Sequence, residues 1–155
     1  KLLGVGHEVV GIDNFSYGLQ RNMEGFRNNS NFQFIEGDVL NPFNLKDIKG
    51  DVLLHLASQK IPRYSTAYRT LEENNLMLKI VVEKCLRDKI RLVFASTSDV
   101  YGKNPKLPFR EDSDLVLGNT KVKRWAYALS KIYGEQYVIA NHEEFGLDYK
   151  LRFLP

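Results

Sequence analysis

The chain has 155 residues, 43% of them apolar and 26% charged, and 22 lysines and arginines against 19 aspartates and glutamates leave a net charge of +3. That is the make-up of an ordinary globular domain with a hydrophobic core, and so mild and dispersed a charge argues against nucleic acid as a partner. No apolar run reaches the ~18 residues a membrane-spanning helix needs, and a lone cysteine, Cys85, excludes an internal disulfide and fits a reducing, cytoplasmic setting.

Short apolar runs alternate with helical patterns, as in parallel βαβ units. Lys1 to Leu3 read as the tail of a helix, with Gly4 and Gly6 suited to its stop. His7 to Ile12 reads as a strand ending on Asp13, and Phe32 to Ile35 as a second ending at Gly37-Asp38. Val52 to Ala57, Ile90 to Ala95 and Tyr149 to Phe153 are the later strands, and their near-continuous apolar character predicts cover on both faces. One helix is predicted over Thr66 to Lys89, with Leu71, Leu78, Val82 and Cys85 on one stripe. A second is predicted over Arg124 to Glu144, striped by Trp125, Leu129, Ile132 and Ile139. Between Gly102 and Lys123 runs a long Pro/Gly/charge-rich loop, of the kind that is usually functional or disordered.

Four features carry chemistry. Asp13 at a strand end suits the two hydroxyls of an adenosine ribose, although Asp-Asn is also a common turn pair. Asn75 falls on the apolar stripe of the first helix, where a buried amide needs partners; it either satisfies a local structural bond or holds the Ser58 to Ile61 loop. Ala95-Ser96-Thr97-Ser98-Asp99 is a hydroxyl-rich strand end, the place where ligands bind in doubly wound sheets. Tyr127 and Lys131, four apart on a helix, share a face. An ammonium beside a phenol lowers its pKa and makes it a usable base. The plain alternative is a pair of snorkelling surface side chains. Cys85, His7, His55 and His142 show no metal-ligand spacing.

Taken together, Gly11-Ile12-Asp13-Asn14, Glu36-Gly37-Asp38-Val39, His55-Leu56-Ala57-Ser58, Asn74-Asn75, Ser96-Thr97-Ser98-Asp99-Val100-Tyr101-Gly102, Tyr127-Ala128-Leu129-Ser130-Lys131 and Leu151-Arg152-Phe153 are ordered motifs at compatible spacing. On them the chain resembles the extended short-chain dehydrogenase/reductases, the group of nucleotide-sugar epimerases, dehydratases and decarboxylases. The resemblance implies a doubly wound, Rossmann-type α/β domain binding NAD. Asp13 and Asn14 would hold the adenosine ribose, Asp38 and Val39 would edge the adenine, and Leu56, Ala57, Ser58 and Lys60 would line the diphosphate and nicotinamide ribose. Asn75 would support the cofactor site. Thr97, Tyr127 and Lys131 would be catalytic, with Asp99 a further candidate. The expected substrate is a nucleotide-diphosphate sugar, with neither nucleic acid nor membrane as partner, and similar enzymes dimerise through the two long helices.

The resemblance also implies the reaction. A Tyr127 phenolate would take a proton from a sugar hydroxyl while the carbon hydride passes to NAD, and Thr97 would steady the oxygen. Lys60 matches a lysine position of 4-epimerases, which places epimerisation at C4 first. Thr97-Ser98-Asp99 and Lys123-Arg124-Trp125 are closer to UDP-glucuronate decarboxylases; a 4,6-dehydratase or a non-catalytic NAD-binding protein are the other readings. The glycine loop of such a domain would precede Lys1, and the sugar-binding domain would follow Pro155. Residues 1–155 are therefore expected to be a partial NAD-binding domain, truncated at both ends, inactive and only marginally stable alone.

Overall fold

The computed structural model describes residues 1–60 and 66–154. Two compact units divide the chain, Lys1–Lys49 and Gly50–Pro155.

The first unit is built on two parallel strands, β1 (Val9–Asp13) and β2 (Phe32–Glu36), paired in register from Val9 opposite Phe32 to Asp13 opposite Glu36. A 3₁₀ turn, Leu3–Val5, leads into β1 and stops at Gly6 in the left-handed region (φ 88°), as the glycine spacing predicts. Phe26 meets Phe32 edge to face at 4.9 Å, and Phe15 tilts against Phe34 at 5.1 Å.

The second unit is a parallel three-stranded sheet in the order β3 (Val52–His55), β4 (Arg91–Thr97), β5 (Tyr149–Leu154). Helix α1 (Ala67–Asp88) connects β3 to β4, and α2 (Trp125–Phe145) leads into β5. The Thr66 side chain caps α1 by accepting the Arg69 N–H, and Lys89 ends it in a left-handed conformation. Gly146 ends α2 in the same way. Every strand pair in each sheet is parallel, as expected of a doubly wound fold. Among the described residues no helix is long and apolar enough to cross a membrane.

Two expectations about burial are corrected. Only β4, with Leu92, Phe94, Ala95, Ser96 and Thr97 buried, is covered on both faces. β3 is one of the two edge strands of its sheet, and its Val52 and Leu54 stay half exposed. In α2 the predicted apolar stripe is not the inward one: Leu129 is 46% exposed, while Tyr127, Ala128, Ser130, Lys131, Gly134 and Val138 are buried. The reason is distance. A Cβ on Gly134 would stand 2.4 Å from Phe94 Cζ and 3.2 Å from Leu78 Cδ2, so α2 approaches β4 and α1 too closely for large side chains on that side. The loop from Gly102 is also ordered by contacts: Asn104 Nδ2 donates to Asp114 O, and Tyr101 stacks between Phe109 and Phe153.

Candidate active site

In the first unit the sequence-predicted residues gather at the C-terminal ends of β1 and β2. Asp13 is exposed, and its Oδ1 accepts the Phe15 N–H at 2.7 Å. A Cβ on Gly18 would lie 3.0 Å from Asp13 Oδ2, so the glycine lets the following turn close over the carboxylate. Asn14 Nδ2 donates to Asp38 Oδ2 at 3.0 Å, and Asp38 Oδ1 accepts the Leu40 N–H at 2.8 Å, which places Val39 inside that turn. Asp13, Asn14, Asp38 and Val39 thus form one cluster.

In the second unit the site is built on the ends of β3 and β4 and the inner face of α2. β3 ends at His55, two residues earlier than predicted, so Leu56 and Ala57 leave the ladder and are exposed. His55 itself is buried and stacked on Phe94 at 6.0 Å. Burial, helped by the Lys131 charge, pushes its imidazole down to about 3, so it is neutral at physiological pH. Ser58 Oγ is buried beside the Tyr127 phenol, close enough to pull its pKa down but outside hydrogen-bond geometry.

The loop after β3 is held from α1 by Asn74, not by Asn75. Asn74 Oδ1 accepts the Gln59 N–H at 2.7 Å, and its Nδ2 donates to Gln59 O at 3.0 Å and to Ser130 Oγ at 3.1 Å. Ser130 Oγ in turn donates to Tyr127 O at 2.8 Å. Asn75 is only half-buried, and its Oδ1 has no hydrogen-bond partner among the described residues. Successive helical residues point about 100° apart; the buried arc of α1 takes in Leu78, Val82 and Cys85 of the predicted stripe and extends past it through Asn74, Val81, Thr70 and Met77, which leaves Asn75 at its edge. The asparagine pair was visible in the sequence; which member faces inward was not.

Tyr127 and Lys131 do share a face, and it is the buried one. Lys131 Nζ donates to Ala95 O at 2.8 Å and lies 4.9 Å from the Phe94 ring centroid and 5.8 Å from that of Tyr127. On the other side Lys60 Nζ lies 5.6 Å from the Tyr127 ring centroid. Burial pushes the Lys131 ammonium down to about 8, with Glu135 supporting it. The Tyr127 phenol is raised above its ordinary value, first by burial and then by Asp99, against the pull of Ser58. The expected net lowering by Lys131 is therefore not found: the ammonium is tied to a backbone carbonyl, and desolvation of the phenol dominates. Thr97, buried at the end of β4, accepts the Asp99 N–H at 3.3 Å and caps the 3₁₀ turn Ser98–Tyr101. Asp99 is half exposed and faces Arg124 at 3.9 Å.

The donor set suits a polar ligand in both units. Asp13 offers carboxylate acceptor capacity beyond its one backbone bond, as a ribose diol requires. Ser58 Oγ and Gln59 Oε1, after the end of β3, are buried polar atoms without hydrogen-bond partners among the described residues. These residues fit NAD. Ile61, Pro62 and Arg63, which follow Lys60 in the 4-epimerase-like stretch, lie outside the described residues. No group of three or more His, Cys, Asp or Glu side chains among the described residues is arranged to hold a metal.

A model of the NAD dependent epimerase/dehydratase family matches residues 1–153. UDP-glucuronic acid decarboxylase 1 of Danio rerio is 38% identical over 114 residues, 72% of this chain and 27% of that protein. UDP-N-acetyl-alpha-D-glucosaminuronate decarboxylase of Bacillus cytotoxicus is 30% identical across 100% of this chain and 46% of its own length. Among solved structures, UDP-glucuronic acid 4-epimerase from Bacillus cereus in complex with NAD superposes with a TM-score of 0.77 at 29% identity, covering 97% of this chain and 49% of that one. The chain thus spans half or less of the relatives it matches.

Proposed function

The chain belongs to the NAD dependent epimerase/dehydratase family, and we propose that it is the NAD-binding part of a nucleotide-sugar 4-epimerase. The observation that carries this reading is the pair Tyr127 and Lys131, buried together on α2 with the lysine fixed to β4 two residues before Thr97. A pair of merely solvated surface residues has no reason to be buried at the carboxyl end of the sheet. Asp13 and Asn14 hold the adenosine ribose in this reading, and Asp38 and Val39 edge the adenine. Leu56, Ala57, Ser58 and Lys60 line the diphosphate and nicotinamide ribose, and Asn74 fixes their loop in the role first expected of Asn75. When bound, NAD supplies a hydride acceptor for the sugar carbon and later the hydride donor.

The chain's own residues do the proton work. Tyr127 Oη takes the proton of the sugar C4 hydroxyl, and Thr97 Oγ1 donates a hydrogen bond to the same oxygen as charge develops there. For a buried phenol to act as a base near neutral pH, its desolvation must be offset by positive charge, and the Lys60 and Lys131 ammonium groups flank its ring. Returning the proton to an oxygen on the re-reduced carbon closes the cycle. The rest of the domain and a sugar-binding domain belong, in this proposal, to segments outside the 155 residues.

A second reading is favoured by one observation: Asp99 stands beside the site, paired with Arg124, in a Thr-Ser-acid sequence, and the two curated relatives above are decarboxylases. The two outcomes separate by product mass. The protein, carried with its flanking segments, is incubated with NAD and UDP-glucose or UDP-glucuronate. An isomer of unchanged mass supports the epimerase, and loss of carbon dioxide supports the decarboxylase. No conversion of either, with no transient NADH absorbance, refutes both. Tyr127→Phe is expected to keep NAD binding and lose turnover by about 10²-fold or more. A homodimer joined through α1 and α2 is part of the same proposal, supported by the exposed Tyr68 (74%), Leu76 (50%) and Leu129 (46%) on those helices. Sedimentation of a Leu76→Asp, Leu129→Asp variant as the same species as the parent would count against it.

A further inference from the structure

The face of α2 that holds Tyr127 and Lys131 continues one turn further. Glu135 stands four residues beyond Lys131, on the same side and half-buried. It is not left to solvent: Ser96 Oγ, from the penultimate residue of β4, donates a hydrogen bond to Glu135 Oε1. Ser96 follows Ala95, whose carbonyl accepts the Lys131 ammonium. Two adjacent residues of β4 therefore grip two successive turns of α2, one through a cation and one through an anion. A half-buried carboxylate is unfavourable unless it is hydrogen-bonded and faces positive charge, and here it has both.

We infer that Glu135, anchored by the Ser96 hydroxyl, is a positioning residue that keeps Lys131 charged and aimed along the Tyr127 side of α2. This rests on the proposed roles of Tyr127 and Lys131 but concerns a residue outside them. The groups around the lysine point to the need. From β3 it faces His55, which is neutral; from β4 it faces the Phe94 ring and the Ala95 carbonyl; from its own helix it faces Tyr127 and Glu135. Asp99 acts on Tyr127 from the turn after β4, and Lys60 acts on it from the β3 loop. Of the charged groups in this set, Glu135 is the carboxylate that supports the Lys131 ammonium against desolvation. Burial pushes the Glu135 carboxyl upward, and the Ser96 hydrogen bond and the Lys131 charge work against that rise.

The test is a direct titration of Lys131 by NMR in ¹⁵N-lysine-labelled protein, comparing the parent with Glu135→Gln and Ser96→Ala. Glu135→Gln changes one atom and keeps an acceptor for Ser96. The Lys131 midpoint, about 8 in the parent, is expected to fall by about one pH unit when the opposite charge is removed. Ser96→Ala leaves the charge but frees it, and the midpoint is expected to move in the same direction by less. In the active protein the alkaline limb of the turnover profile shifts to lower pH in Glu135→Gln, which a purely structural role would not produce. A Lys131 midpoint unchanged in Glu135→Gln overturns the inference, and one unchanged in Ser96→Ala overturns the anchor. Because the titration needs no substrate, its failure is distinct from that of the proposed reaction, which Tyr127→Phe turnover tests.

Discussion

Gly134 sets how closely α2 can approach the sheet, and replacing it with alanine weighs two opposed effects. Glycine inside a helix costs about 1 kcal/mol relative to alanine, so helix propensity alone predicts a gain of that size. The structure predicts the reverse. The new methyl carbon would lie 2.4 Å from Phe94 Cζ and 2.9 Å from Phe94 Cε1, where ordinary contact begins at 3.4 Å. The ring must retreat by about an ångström, yet Phe94 is 2% exposed and has His55 stacked against it. Overpacking of this kind costs typically ~1–3 kcal/mol, which leaves a net loss of up to about 2 kcal/mol after the propensity gain. Urea denaturation reads the loss as a lower midpoint at unchanged slope. A double-mutant cycle with Phe94→Leu, which removes the two ring atoms in question, should show a favourable coupling. Gly134→Ala more stable than the parent, or strictly additive with Phe94→Leu, would refute the argument that contact distance chose the glycine.

Asn74→Ala strips both backbone groups of Gln59 and the Ser130 hydroxyl of their partner, and about 2–4 kcal/mol of stability should go with them. Asn75→Ala, one residue away, should stay within about 0.5 kcal/mol; the same urea series compares them, and equal losses would contradict the assignment. His55 gives a pH signature. Its imidazole titrates near 6.5 when unfolded and at about 3 when buried, so the unfolded chain binds the extra proton. Stability is complete above about pH 6.5 and falls towards pH 3 by up to ~1.4 kcal/mol per unit. A urea midpoint that does not decline between pH 6.5 and pH 5, relative to His55→Phe, would count against a neutral buried histidine.

Much of this was legible in the sequence where local pattern and tertiary demand agree. The strands appear within a few residues of their expected ends because apolar runs bounded by turns have few other uses, and α1 begins at Thr66 because its hydroxyl caps the helix. What the sequence hid was which side of α2 is inside. In α2 the large apolar residues outline one stripe, but the face that enters the core is made of small and polar groups, Ala128, Ser130, Lys131 and Gly134. They are legible as interior only once Phe94 and Leu78 are seen pressing on them. The same blindness moved the supporting asparagine by one position. Ser96 stood out only as part of a hydroxyl-rich strand end, and Glu135 carried no signal, since a glutamate in a helix is unremarkable until it meets that serine.

The Asn74 amide also bears on the order in which the site is assembled. Its partners lie 15 residues behind it in Gln59 and 56 residues ahead in Ser130. The nearer bonds close a modest loop, but the farther one waits on β4, the long loop after it and the first turns of α2. Closing distant contacts is the slow part of folding. The segment carrying Ser58 can be held from α1 by the nearer bonds alone, and it is the Ser130 bond, tying that segment to the turn carrying Tyr127, that depends on the longer closure.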